Sequence, residues 1–189
     1  RRCAEWMALT RGVAAAIGYP GRLHFLYAAK ANMAAEVTHA AYRSGWHAET
    51  SGTQDLRHLM WLADRGLLPE GMRVVCNGFK LPPGRPAVGA AAGDADGARA
   101  AAAGGLAVPR ADRLALGVDG SYAGTIIALR RAGWDIQPIL DAGELPAFAA
   151  AGVPFEVGLR LKFGPVVDRP TLEACVSRFG LSVDQVAAA

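Results

Sequence analysis

Only three lysines, Lys30, Lys80 and Lys162, stand against 17 arginines in this chain. The first of them closes a short apolar run, Leu23-His-Phe-Leu-Tyr-Ala-Ala-Lys30, followed by Ala31-Asn32. The run reads as a strand. A lysine at the mouth of a buried strand costs folding free energy unless it is paired or chemically used. An amine kept from water gives up its proton more readily, and the free amine attacks carbonyl carbon. The chemistry open to Lys30 is condensation with an aldehyde cofactor. The plain structural alternative is a side chain that snorkels its head out of the strand end, and position alone favours that alternative.

Four more polar residues sit where strands are expected to end: Glu49, Asn77, Asp141 and Arg160. The spacing predicts the elements that place them. Trp6, Leu9, Val13 and Ile17, with Met7 and Ala14 beside them, have helical spacing over residues 1–18, closed by Gly18. After the Leu23–Lys30 strand, Met33, Val37, Ala40 and Ala41 mark a helix ending at Gly45. Trp46–Thr50 reads as a strand. Ser51 with Gln54 forms a capping box for a helix whose core stripe is Leu56, Leu59, Met60 and Ala63. Arg73–Cys76 is the third strand. Ser121 caps a helix to about Ala132, Ile136–Leu140 is the fourth strand, and Asp141 with Glu144 opens a short helix. Phe155–Lys162 is the fifth strand. Its alternation puts Phe155, Val157, Leu159 and Leu161 on one face and Glu156, Gly158, Arg160 and Lys162 on the other. An edge strand with a solvated face is the competing reading of that alternation.

Residues 81–120 break this rhythm. They are rich in Ala, Gly and Pro and read as an irregular insertion with a short Ala-rich helix near 95–103. Elsewhere the phrase helix, Gly, strand recurs at Gly45, Gly133 and Gly152. Strands alternating with helices predict a parallel sheet, either open and doubly wound or closed as a (β/α)8 barrel. Polar residues at five consecutive strand ends favour the barrel, whose active-site rim is that edge.

Bulk properties agree with a globular domain. Hydrophobic residues make up 52% and charged residues 20%, which is enough for a core. The net charge of +3 comes without a basic block, which argues against nucleic-acid binding. Cys3, Cys76 and Cys175 lie far apart and fit neither a disulfide framework nor a zinc pattern, so a reducing cytoplasmic setting is expected. No apolar run approaches a membrane span, and no signal peptide is read at the N-terminus. The four histidines lack metal-ligand spacing, with His39 and His58 read as helix-surface residues, so no metal is expected. Trp46 and Trp134 read as packing residues.

Tyr27-Ala28-Ala29-Lys30-Ala31-Asn32 resembles the lysine motif of fold-type III pyridoxal-phosphate enzymes, the alanine racemase and amino-acid decarboxylase barrels. Further segments follow in that family's order. Gly45–Ser51 with Asp55-Leu56 resembles its second strand and Ser-rich turn. Val75-Cys76-Asn77-Gly78-Phe79-Lys80 is similar to the Cys-Asn-Gly-Tyr-Lys segment of biosynthetic arginine decarboxylases. Ile139–Leu145 and Val157–Leu161 resemble the fourth and fifth strands, and Ser177–Leu181 resembles the Ser-Lys-Phe-Gly element that follows. The likeness covers most of 23–80 and 121–181.

The resemblance implies that Lys30 forms the Schiff base with pyridoxal 5'-phosphate. It implies that Arg160 lies near the cofactor ring and that Glu49 stands close to the lysine. The expected activity is that of a lyase: decarboxylation of an amino acid of the arginine, ornithine or diaminopimelate class, as in polyamine biosynthesis. Two alternatives stay open: an alanine-racemase-like isomerase, and a truncated, non-catalytic pyridoxal-phosphate-binding remnant. In the family the phosphate loop and the partner of the ring nitrogen come from later strands. Residues 1–189 therefore read as an incomplete barrel domain of five to six strands, the N-terminal part of an enzyme that would be a homodimer when full length.

Overall fold

In a computed structural model, the structure describes residues 2–80, 121–141 and 143–160. Helix α1 spans Arg2–Ala16. Strand β1, Leu26–Ala28, runs into a 3-10 turn, Ala29–Ala31. There follow α2 (Ala35–Arg43), β2 (His47–Thr50), α3 (Thr53–Asp64) and β3 (Val74–Cys76). After residues 81–120 come α4 (Tyr122–Arg131), β4 (Ile136–Leu140), α5 (Leu145–Ala149) and β5 (Gly158–Leu159). The expected insertion at 81–120 lies outside the described residues, as do the Ser177–Leu181 segment and the end of the fifth strand.

All five strands are parallel and pair in chain order, β1-β2-β3-β4-β5. A doubly wound sheet reverses its strand order at a switch point; this sheet does not. Register sets its two faces. Tyr27, Ala48, Val74 and Ile136 lie side by side, as do Thr50, Cys76 and Pro138. On this face Ala48, Val74, Cys76, Ile136 and Leu140 join one apolar cluster with Tyr42 of α2, Leu56, Leu59, Met60 and Leu62 of α3, and Ile126 and Leu129 of α4. Each of these large side chains contributes ~1.5–3 kcal/mol by leaving water. The opposite face carries Ala28, Glu49, Val75 and Gln137 in one row, and none of them joins that cluster. The fold is thus an α/β sheet with its helical core on one side, compatible with part of a barrel wall.

Local chemistry explains the joints. Ser121 caps α4, its hydroxyl accepting from the Gly124 N–H at 3.0 Å. Gly45 and Gly133 take φ of 89° and 88° where α2 and α4 turn toward the next strand, a backbone conformation that side chains with a Cβ resist. The expected Ser51–Gln54 box does not form. Gly52 is the N-cap of α3, and the Ser51 N–H donates instead to Asp55 Oδ2 at 2.6 Å. The reciprocal carboxylate is one residue later than the motif requires, and Asp55 is buried by that role.

Burial departs from the apolar spacing in three places. Of the residues read as spaced on the first helix, Trp6, Leu9, Val13 and Ile17 are exposed and Met7 is buried. Of the residues read as marking α2, Ala41 is buried while Met33 and Val37 are exposed; Met33 precedes the helix, whose buried residues are Thr38, Ala41 and Tyr42. Strand β5 begins only at Gly158, and Val157 and Leu159 are exposed. The fourth strand has the bounds expected of it, with alternate burial along its length.

Candidate functional site

The C-terminal ends of parallel strands share one edge, and the candidate residues gather along it. Lys30 lies in the 3-10 turn, two residues beyond β1. The turn lifts it off the strand, and its side chain is 59% exposed. The expectation of a buried amine therefore fails. Its Nζ lies 3.8 Å from Glu49 Oε1. Glu49 sits on β2, directly beside Ala28 in register, on the face away from the helices. Ser51 Oγ donates weakly to Glu49 Oε1 at 3.5 Å. The second oxygen, Oε2, is buried and has no hydrogen-bond partner among the described residues.

That arrangement is not explained by stability. An ion pair with one partner in water contributes ~0–1 kcal/mol. An unsatisfied buried polar atom costs ~1–3 kcal/mol. Four buried side-chain atoms among the described residues lack a partner, Tyr42 Oη, Trp46 Nε1, Trp134 Nε1 and Glu49 Oε2, and Glu49 Oε2 alone belongs to a carboxyl group, for which burial without a partner costs most.

Arg160 follows β5 directly. Its N–H donates to the Leu140 carbonyl at 3.1 Å. Its guanidinium reaches back past β4 to Asn77, donating to the Asn77 carbonyl at 2.5 Å and to Oδ1 at 2.6 Å. The Phe79 ring faces the same guanidinium at 5.6 Å. The strand-end arginine and the strand-end asparagine, read separately in the sequence, are thus one unit.

The buried lysine is Lys80. Its side chain is 1% exposed. Its ammonium donates to the Gly78 carbonyl at 2.5 Å and to the Ile139 carbonyl, and lies 3.9 Å from Glu144 Oε2. Burial holds this ammonium below the usual lysine range, with Glu144 and Cys76 pulling the other way. Its backbone N–H donates to Glu144 Oε1 at 2.6 Å. Glu144 also accepts the Asp141 N–H through Oε2 at 3.1 Å, but the expected capping box does not open the helix: the N-cap of α5 is Glu144 itself. Sequence reasoning missed Lys80 and its tie to Glu144. The signal available was the scarcity of lysine and its place in the Asn-Gly-Phe-Lys segment.

Below the rim, on the helix side, Tyr122 donates to the Thr50 carbonyl at 3.0 Å and Thr50 Oγ1 donates to Cys76 Sγ at 3.3 Å. Burial pushes the Cys76 thiol up to about 11 and raises the Tyr122 phenol further. Both stay neutral and serve packing. His58 is not a free surface residue: its Nε2 lies 2.9 Å from Thr38 Oγ1, joining α2 to α3. Trp46 and Trp134 bury their indole N–H groups without hydrogen-bond partners among the described residues, and both rings lie in apolar surroundings or against other rings. Among the described residues no cluster of His, Cys, Asp or Glu could hold a metal ion, and no helix is long and apolar enough to cross a membrane.

The residues present fit the aldehyde side of a pyridoxal-phosphate site. An accessible amine stands over a carboxylate with a buried, unsatisfied oxygen, and a guanidinium is fixed farther along the same edge. Comparison with known proteins gave no match: no family model, no curated protein and no solved structure aligns with the chain.

Proposed function

We propose that this chain carries the amine side of a pyridoxal-phosphate site in a (β/α)8 barrel of the alanine racemase-like type, and that the reaction served is decarboxylation of an amino acid of the arginine, ornithine or diaminopimelate class. The observation that carries the reading is the Lys30–Glu49 pair at the C-terminal edge of a sheet whose strands follow in chain order. Active sites of such barrels lie at that edge.

Pyridoxal phosphate supplies, when bound, an aldehyde for an amine and a ring that takes up the electron pair left at the substrate's α-carbon. The rest falls to the chain. Lys30 is exposed enough to meet an incoming aldehyde. Its nitrogen must lose a proton before attack, and Glu49 Oε1, 3.8 Å away, can take that proton through one bridging water. Arg160 brings a fixed positive charge that can balance a developing anion, with Asn77 preventing it from swinging away. The resemblance of residues 75–80 to arginine decarboxylases supports decarboxylation over racemisation. The same reading carries a small-molecule amino-acid partner, a homodimer and a cytoplasmic setting.

Adding pyridoxal phosphate to the chain tests the first half of the reading: a new absorbance near the visible edge is expected, and it should be absent in Lys30→Ala. Carbon dioxide release from arginine, ornithine or diaminopimelate tests the second half. A spectral change without carbon dioxide release from any of the three would count against decarboxylation.

A further inference from the structure

Segment 77–80 is gripped from both sides. Toward β2, the Asn77 N–H donates to the Thr50 carbonyl at 2.8 Å. Gly78 packs so closely on Ser51 that a Cβ there would collide with the Ser51 carbonyl oxygen. Toward β4, Lys80 closes the grip through the Gly78 and Ile139 carbonyls and through its own N–H on Glu144 Oε1. The held segment is also the seat of Arg160, because Asn77 supplies both acceptors and Phe79 supplies the facing ring.

We propose that Lys80 and Glu144 are positioning residues that act through segment 77–80 to fix the Arg160 guanidinium at the strand-end rim. The buried ammonium spends its donors on main-chain carbonyls of β4 and of the segment itself, so it sets where the Asn77 peptide lies. Arg160 Nη2 bonds both oxygens of that one residue, so any drift of Asn77 moves the guanidinium. The importance of Arg160 for a cofactor rests on the pyridoxal-phosphate reading; the clamp itself does not.

The test therefore uses the full chain without cofactor. The rate at which phenylglyoxal modifies Arg160 is followed by peptide mass spectrometry. Arg130 of α4, bonded to the Pro154 and Trp134 carbonyls, serves as the internal control. In Lys80→Met, Arg160 should react about tenfold faster while Arg130 keeps its wild-type rate, a factor equivalent to ~1.4 kcal/mol of lost hold. An unchanged Arg160 rate overturns the proposal. Equal acceleration at Arg160 and Arg130 also overturns it, since that is general loosening. Should Lys80→Met fail to fold, Glu144→Gln decides by the same criteria. Its side-chain amide offers one acceptor where the carboxylate served two N–H donors, at Lys80 and Asp141. Loss of pyridoxal-phosphate binding would leave these rates untouched, so the two readings fail separately.

Discussion

Glu49 turns one carboxylate oxygen to the Lys30 ammonium at 3.8 Å and buries the other without a hydrogen-bond partner among the described residues. The pair joins the turn after β1 to the neighbouring strand β2 at the edge where barrel enzymes do their chemistry. A fold selected for stability alone would gain by replacing this carboxylate.

Glu49→Gln should accordingly separate stability from capture of the cofactor. Removing a buried charge with an unsatisfied oxygen should leave the urea midpoint unchanged or raised. The rate at which Lys30 combines with pyridoxal phosphate should fall about 100-fold, the lower end of what a positioned acid–base group contributes. Stopped-flow absorbance and equilibrium unfolding report the two quantities. A lowered midpoint with an unchanged rate would make Glu49 a structural residue.

Gly78→Ala should destabilise the protein by ~1–3 kcal/mol, the usual cost of forcing an atom into filled space. The added Cβ meets a main-chain carbonyl at Ser51, which cannot rotate away. Urea denaturation measures the loss, and a midpoint equal to wild type would contradict the close approach of the second and third strand ends.

Stability should fall as pH drops below about 6.5, the ordinary value for histidine in an unfolded chain. His47 and His58 are both held below the usual histidine range, chiefly by burial. His47 Nδ1 accepts the Arg73 N–H at 3.1 Å, a contact that the protonated ring cannot make. The unfolded chain therefore binds more protons than the folded one, and stability rises with pH across this window. The contribution is complete above the unfolded value and is lost as pH falls through the lower folded values. Thermal midpoints at about pH 7.5 and about pH 5.5 should differ less in the double variant His47→Gln, His58→Gln than in wild type. An equal difference in both would contradict this assignment.

Much of the architecture was legible because its signals are local. Ser121 before an apolar-periodic run announces a cap, and it caps α4. Alternation over Ile136–Leu140 announces a strand buried on one face, and burial alternates there. Glycines after α2 and α4 mark the turn into the next strand. What was not legible depends on space. Trp6, Leu9, Val13 and Ile17 have the period of a helix, and a helix forms there, but periodicity does not say what those side chains meet. The Leu23–Lys30 run reads as one strand, yet the chain turns at Ala29, and that turn brings Lys30 into water. The buried lysine proved to be Lys80, whose partners at Ile139 and Glu144 lie some 60 residues away in sequence. No local pattern could have joined them.

With three lysines in the chain, the account reduces to asking which one takes the cofactor. Pyridoxal phosphate is added, the product is reduced with borohydride, and the peptides are weighed. The account predicts the added pyridoxyl mass on the peptide that contains Lys30, and its disappearance in Lys30→Ala. Mass on Lys80 or Lys162 instead, or no fixed mass at all, would contradict it.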